Sequence, residues 1–371
     1  MNAFTRLPFY YRSAQVLLAL IAFTFVMYIG QDIIVPLMFS LVLAILLNPV
    51  VEFLVKYKVK RVLAISFSVI LLVLVVTAIM YFVAVQVSHF RESLPQLQEK
   101  ANALFNQTLD WLSNRFHIQK SQINKLLESK KVEGISAIGS SLGGTIMSLS
   151  NLLVVLFLVP VYIFLFLYYK TLLLNFVTQI FSDEHSETIR EVLDTTKSLI
   201  QSYLVGLLIE MVIVALLNSV GLLIIGVDYA IALGVIGALL NLIPYVGGIV
   251  AIALPFLMAI IGGSYMSGFA VIAVYSLIQL IDNNFLVPMI VASKVKINAL
   301  FSIIVVLVGG AVWGVAGMFL AIPLTAIVKV IFDYIPGMQP YGAVMGDELP
   351  PSAPNVSEIK KAEENSSAPQ V

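Results

Sequence analysis

Two carboxylates interrupt the most apolar parts of this 371-residue sequence. Glu210 breaks an otherwise charge-free run from Ser202 to Val227, and Asp282 opens the segment "DNNFLVP", in which Asn283 follows it. Acids in such surroundings are costly and usually face a cavity or a partner, so each of them could carry a proton. Both have a structural alternative. Glu210 could extend its side chain to the nearest polar surface, and Asp282 could be an interfacial residue that caps the next element.

The segment "NLIPYVGG", residues 241–248, interrupts a longer run that has no charged residue from Tyr229 to Ile281. As one straight helix this run would be roughly 80 Å long, whereas the hydrocarbon core of a bilayer is about 30 Å thick. The proline removes a backbone donor and the two glycines permit a sharp reversal, which predicts two half-length helices in a re-entrant hairpin. Main-chain groups at such a tip must face protein or a water-filled cavity. The candidate substrate-binding residues here are therefore Asn241, Pro244, Tyr245, Gly247 and Gly248.

The window from Ile297 to Val328 repeats this pattern. Lys294 and Lys296 precede it and Lys329 follows it, so both of its ends are expected on the cytoplasmic side. Its second arm "GMFLAIPLTAI" is similar to "GIVAIALPFLMAI" of the first hairpin, which predicts an inverted repeat with the solute site between interrupted helices. The glycines near its centre could equally mark close helix contacts. They are Gly309, Gly310, Gly314 and Gly317.

Composition is typical of a polytopic membrane protein. Hydrophobic residues make up 60% of the chain and charged residues 11%, against about 45–50% and about 25% in soluble domains. Cysteine is absent, and Lys plus Arg equal Asp plus Glu at 21 each, which excludes a disulfide framework and gives no basic patch for nucleic acid. The three histidines are scattered, so neither a metal nor a cofactor is expected.

The charge-free windows and the polar segments between them divide the chain into five regions. Residues 1–87 are expected to hold three transmembrane helices, 88–145 an extracytoplasmic helical segment, and 146–201 a transmembrane helix followed by a cytoplasmic amphipathic helix. Residues 202–336 form the expected transport core with both hairpins, and 337–371 a disordered tail. Lys and Arg in short loops predict an all-α transmembrane bundle with both termini in the cytoplasm.

Three stretches carry a resemblance to a known family: "NLIPYVGGIVAIALP", "LIQLIDNNFLVPMIV" and "LVGGAVWGVAGMFLAIPLTAIVKVIFD". They are similar to the signature stretches of the autoinducer-2 exporter family of bacterial membrane proteins, and the likeness in layout extends from about Ser13 to Asp333. The resemblance implies two re-entrant hairpins, an elevator-like mechanism in each protomer and a homo-oligomer, by analogy a pentamer, in the bacterial inner membrane. Some members are linked to the quorum-sensing furanone autoinducer-2, and others to exchange of sodium or lithium for protons.

The resemblance also transfers residue by residue. It places the first hairpin tip at residues 244–248, an Asp-Asn pair before proline at Asp282, Asn283 and Pro288, and the second hairpin at the four glycines named above. Two positions depart from the family pattern. Ala292 stands where the family commonly has Gly, and Asn298–Ala299 stand where His-Pro is frequent, which puts His-dependent proton coupling in doubt.

Together these features predict a secondary transporter that exports a small polar solute resembling autoinducer-2, with Asp282 and Glu210 in ion coupling. A sodium or lithium/proton antiporter and a passive pore through the oligomer are the alternatives. A pore predicts a continuous polar lining, whereas the polar atoms here cluster at the hairpin tips. An enzyme is not expected, because the sequence offers only these two acids inside the membrane.

Overall fold

The structure is a computed structural model that describes residues 9–116, 149–180, 186–243, 247–262, 265–292 and 295–347. Within these ranges the secondary structure is helical apart from one isolated β-bridge, between Ile297 and Gly346, which confirms the all-α class there. A π-helix, Asp282–Ala292, follows α9 directly and is called the π segment below. The α-helices are α1 (Phe9–Ile29), α2 (Gln31–Lys56), α3 (Arg61–Phe116), α4 (Leu149–Tyr168), α5 (Lys170–Ile180), α6 (Ser186–Ile225), α7 (Ala230–Asn241), α8 (Gly247–Gly262), α9 (Tyr265–Ile281), α10 (Ala299–Tyr334) and α11 (Gln339–Met345).

Five helices of the described chain are long and apolar enough to cross a membrane. They are α2, the first part of α3, α6, α9 with the π segment, and α10. Helices α4 and α5 provide a sixth span if this pair, which is bent by 66°, crosses as one unit. A helix satisfies its own backbone hydrogen bonds within lipid, and long apolar runs therefore fold this way. The chain is a multi-pass membrane protein.

Buried side chains form three clusters that hold the helices together. The first lies between α6, α7, α8 and α9 around Leu222 and Val271. The second joins α2, α6, the π segment and α10 around Leu320, and the third joins α2, α3 and α4 around Ile65 and Ile163. Helix α6 belongs to both of the first two clusters: Leu222 lies in the first, near the end of the helix, and Tyr203 lies in the second, nearer its middle.

Two expected region boundaries fall inside continuous helices. Helix α3 has 56 residues and passes through the boundary at 87/88, and α6 has 40 residues and passes through the boundary at 201/202. A change from apolar to polar composition alters the surroundings of a helix, but it gives the backbone no reason to break. The remainder of the expected extracytoplasmic segment, from residue 117, lies outside the described residues.

The prediction of a disordered tail from residue 337 is wrong for its first part. Residues Gln339–Met345 form α11, and Asn298 fixes the end of this helix. The Nδ2 of Asn298 donates to the carbonyl oxygens of Val344 and Gly346 at 2.7 and 3.0 Å. The backbone N–H of Asn298 donates to the carbonyl oxygen of Met345 at 3.0 Å. Local composition could not reveal this, because the partner is more than 40 residues away in the sequence. Residues 348–371 lie outside the described residues.

The two segments expected to be hairpins are short or bent helices. Helices α7 and α8 have 12 and 16 residues, or about 18 and 24 Å, less than the roughly 30 Å of a bilayer core. Helix α10 is bent at Trp313 and Gly314, where Gly314 has a φ of 60°. A Cβ built on Gly309 would lie 2.5 Å from the carbonyl oxygen of Gly317, although eight residues of straight helix span about 12 Å. The two arms of α10 therefore pack side by side at these glycines.

Candidate solute and ion site

A cavity of about 480 Å³ lies between α6, the C-terminal end of α7, α8, α9 with the π segment, and α10. Its wall is mostly apolar, with side chains such as Leu207, Ile252 and Ile322. A mostly apolar wall with a few convergent polar groups is typical of small-molecule sites, and so is this volume. The polar residues that line the cavity are Tyr203, Glu210, Asn241, Gln279, Asp282, Asn283 and Ser302.

Asp282 is the first residue of the π segment and is 1% exposed. Its Oδ2 accepts a hydrogen bond of 2.9 Å from Nδ2 of Asn241, the last residue of α7. Its Oδ1 is buried and has no hydrogen-bond partner among the described residues. π-Helical turns are frequent at functional sites, and Pro288 favours this one because it lacks an N–H for the regular helical ladder. Asp282 thus presents an unpaired carboxylate oxygen in the protein interior.

The alternative that Asp282 caps the second hairpin at the interface is wrong. Asn298 caps α10 instead, because its Oδ1 accepts a hydrogen bond of 2.9 Å from the backbone N–H of Phe301. The burial of Asp282 and its bond to Asn241 bring together the two polar segments that the sequence singled out.

Glu210 lies within α6, lines the same cavity and is 6% exposed. Its Oε2 is buried and has no hydrogen-bond partner in the described part of the chain. The alternative that Glu210 reaches out to a membrane surface is therefore wrong. Glu210 and Asp282 line the same cavity, where two charged carboxylates would repel each other. A proton on one acid, or a small cation between them, would remove this repulsion.

The two glycines of the first predicted hairpin have different roles. Gly248 lines the cavity, and a Cβ at this position would lie 2.8 Å from Oε1 of Gln279 on α9, so glycine allows α8 to approach α9 closely. Gly247 does not line the cavity; it packs against the backbone of Leu240, and its N–H donates to the Ile243 oxygen at 3.0 Å. The other three residues of this predicted tip, 244–246, lie outside the described residues.

The four glycines of α10 are not among the residues that line the cavity. Gly309 and Gly317 contact each other's backbone, Gly310 faces the side chain of Met318, and Gly314 supplies the positive φ of the bend. A role of these four glycines in binding a solute stays a prediction. Gly309 and Gly317 do make the close helix contact that was the alternative role expected from the sequence. Helix α10 reaches the cavity through other residues, Ser302 and Ile322.

Three polar lining residues were missed from the sequence: Tyr203, Gln279 and Ser302. Helical spacing could have revealed two of them. Tyr203 precedes Glu210 by seven residues and Gln279 precedes Asp282 by three, which places each pair on one helix face. Ser302 offers no such signal. Among the described residues, no group of three or more His, Asp or Glu side chains could hold a metal ion.

The three sequence stretches that carried the resemblance to a known family each contribute residues to the cavity wall. Comparison with known proteins supports that resemblance. A family profile described as AI-2E family transporter matches residues 17–337. The chain belongs to the AI-2E transporter family. This AI-2E protein is 26% identical over 322 residues to AI-2 transport protein TqsA of Escherichia coli (strain K12), covering 86% of this chain and 90% of TqsA. It is 27% identical over 341 residues to YueF of Bacillus subtilis (strain 168), covering 85% of this chain and 90% of YueF. The resemblance drawn from the sequence is confirmed.

Proposed function

We propose that this AI-2E family protein is a secondary transporter of the bacterial inner membrane that moves a small polar solute through the cavity of about 480 Å³. The observation that carries the proposal is the pair Glu210 and Asp282. Each acid is buried among apolar helices, lines the same cavity and has one oxygen without a partner in the described chain. A buried charge is stable only with a partner, which a solute or a proton can supply.

The lining suits a small hydroxylated solute that resembles autoinducer-2. Carboxylates accept hydrogen bonds from hydroxyl groups, whereas the amides of Asn241, Gln279 and Asn283 can also donate. The apolar wall accommodates a carbon skeleton. The name of the relative TqsA, AI-2 transport protein, supports the same solute class, and export is the proposed direction.

Two re-entrant hairpins in an inverted repeat are part of the proposal. Helices α7 and α8 pack against each other, the arms of α10 meet at Gly309 and Gly317, and each second arm holds a fully buried proline, Pro255 or Pro323. The bend of α10 touches α1, since Nε1 of Trp313 donates to the Met27 oxygen at 2.9 Å. Such pairs of interrupted helices surround the solute in known carriers, which supports an elevator-like movement of the α6–α10 core.

The proposed orientation has both termini in the cytoplasm. Lys170, the first residue of α5, forms an ion pair of 2.9 Å with Glu52 near the end of α2, and Nη2 of Arg61 donates to the Leu167 oxygen at 2.9 Å. The loop 56–61 and the α4–α5 bend thus share one face, rich in Lys and Arg, as the positive-inside rule expects for the cytoplasm. A homo-oligomer, by family analogy a pentamer, completes the proposal.

The test is solute flux in proteoliposomes with an imposed proton gradient. We expect autoinducer-2 flux that depends on the gradient in the unmodified protein and is lost in Asp282→Asn. Asp228→Asn, an exposed acid that follows α6, is the matched control and should transport normally. Gradient-dependent flux that is equal in Asp282→Asn and in the unmodified protein would refute the role of Asp282.

A second candidate function, exchange of sodium or lithium for protons, is favoured by the unpaired oxygens of two acids whose charges would repel each other in one cavity. A small cation between them would neutralise this repulsion. The same proteoliposomes distinguish the two functions. Proton movement driven by sodium in the absence of any organic solute supports the antiporter, whereas proton movement that requires the solute supports the solute carrier.

A further inference from the structure

A second and much smaller chamber lies against Asp282. Its volume is about 10 Å³, and its wall is made by residues of α6, α7, α8, α9 and the π segment. It shares Asn241, Gln279 and Asp282 with the large cavity and extends from them to Asn218 and Tyr275. Asn218 follows Glu210 by eight residues on α6, about 12 Å along the helix. The chamber therefore continues the polar lining past Asp282 to another depth.

Three oxygens at the chamber are buried and have no hydrogen-bond partner among the described residues. They are Oδ1 of Asn218, Oη of Tyr275 and Oδ1 of Asp282, whose residues are 3%, 4% and 1% exposed. They come from α6, α9 and the π segment. Buried polar atoms are almost always paired, so three such atoms around one chamber indicate a common partner.

Gly237 of α7 leaves room for that partner. A Cβ built on it would lie 3.2 Å from Oη of Tyr275 and 3.4 Å from Nδ2 of Asn218, so both side chains approach the same side of α7. Any larger residue at 237 would extend toward this point. The chamber thus depends on a glycine, and its size matches a single water, which needs at least about 10–15 Å³ and two to four polar partners.

We propose that this chamber is a binding site for one water molecule. The water donates its two hydrogens to Oδ1 of Asn218 and Oδ1 of Asp282 and accepts the hydroxyl hydrogen of Tyr275. This arrangement gives all three atoms a hydrogen-bond partner at once. An alkali cation would fit less well, because three oxygens are fewer than the roughly six oxygen ligands that hard cations usually take. Asn218 and Tyr275 are then positioning residues that orient the Asp282 carboxylate through the water.

The site has a consequence for the proposed function, on which this part of the inference rests. Asn241 holds one oxygen of Asp282, and the water holds the other. The titratable groups that line the two cavities in the described chain are Tyr203, Glu210, Tyr275 and Asp282. Of these, only Tyr275 and Asp282 line the small chamber. Changing the water therefore perturbs Asp282 without touching Glu210 directly.

The first test is a high-resolution structure in which ordered waters are visible. We expect one density peak at about 2.7–3.2 Å from each of the three oxygens, in sodium-free potassium buffer as well as in sodium buffer. The absence of a peak at the chamber would overturn the proposal. A peak present only in sodium buffer would overturn it in favour of a cation site.

The second test is infrared difference spectroscopy of the purified full-length protein. The Asp282 band is assigned as the carboxyl or carboxylate band that disappears in Asp282→Asn. We expect this band to shift in Tyr275→Phe, in Asn218→Leu and in Gly237→Ala, which fills the chamber. Tyr162→Phe, a tyrosine of α4 away from both cavities, is the matched control and should leave the band unchanged. An Asp282 band that is unchanged in all three chamber variants would refute the water site.

These readouts separate the water site from the proposed function. If Asp282→Asn transports normally but the density peak and the band shifts are observed, the transport role of Asp282 fails and the water site stands. If Asp282→Asn abolishes flux but neither is observed, the water site fails and the transport role stands.

Discussion

Asn241→Leu is the substitution that tests the site most directly. The Nδ2 of Asn241 is the only side-chain donor that the described residues provide to Asp282, at 2.9 Å, and leucine has a similar volume but no donor. A hydrogen bond to a charged group contributes roughly 1.5–3 kcal/mol, and about 1.4 kcal/mol corresponds to a tenfold change. We therefore expect transport that requires a charged Asp282 to fall by about 10- to 100-fold.

The assay is initial flux of autoinducer-2 into proteoliposomes at fixed protein density and proton gradient. Asn284→Leu is the matched control: Asn284 lies two residues after Asp282, is exposed, donates to the Leu280 oxygen at 2.8 Å and does not line the cavity. We expect Asn284→Leu to retain flux within about a factor of two, the effect of an exposed substitution.

A double-mutant cycle decides whether the loss acts through the carboxylate. In an Asp282→Asn background, Asn241→Leu removes a bond to a neutral amide, so its additional cost should be far smaller than in the unmodified protein. Equal costs in both backgrounds, or an Asn241→Leu variant as active as Asn284→Leu, would contradict this account of the site.

Three further predictions concern the structure around the site. Gly317→Val should lower the melting temperature in detergent and abolish flux, because a side chain at Gly317 meets the Gly309 backbone. In the control Gly310→Ala, the added methyl group meets only the flexible end of Met318 and should be tolerated. Similar melting temperatures for both variants would contradict the packing of the α10 arms. Asn298→Ala should cost about 1 kcal/mol of helix capping and release α11, seen as faster hydrogen exchange at residues 339–346, while exposed Asn175→Ala should leave that exchange unchanged. Glu52→Gln should change the free energy of unfolding by less than about 1 kcal/mol, because the side chains of Glu52 and Lys170 in this ion pair are 56% and 32% exposed. Unfolding of the variant in mild detergent would contradict this small contribution.

Part of the site was readable from the sequence because the signal was local. Glu210 and Asp282 stand out against apolar neighbours, and the cost of burying an acid makes such positions functional candidates in any membrane protein. Asn241 and Gly248 were found through the break in helical periodicity around Pro244. These four residues do line one cavity, although they come from four different elements.

Other parts were not readable because their partners are distant in the chain. The order of residues 339–346 depends on Asn298, and the separation of the α10 glycines from the cavity depends on the contact between Gly309 and Gly317. Asn218 and Tyr275 resemble ordinary polar residues in apolar helices until α6 and α9 are placed side by side.

The sequence by itself determined that this chain is a multi-pass helical membrane protein. The free energy of transferring a segment into lipid depends on its apolar length and its lack of charged residues, and both can be read directly along the chain. It also determined the family and the two acids that lipid would not tolerate unpaired. Only the tertiary structure decided that these acids share a cavity, which glycines pack helices and which face the site, and that a small polar chamber adjoins Asp282. Distances between helices depend on the packing of side chains from remote segments, and no local pattern records them.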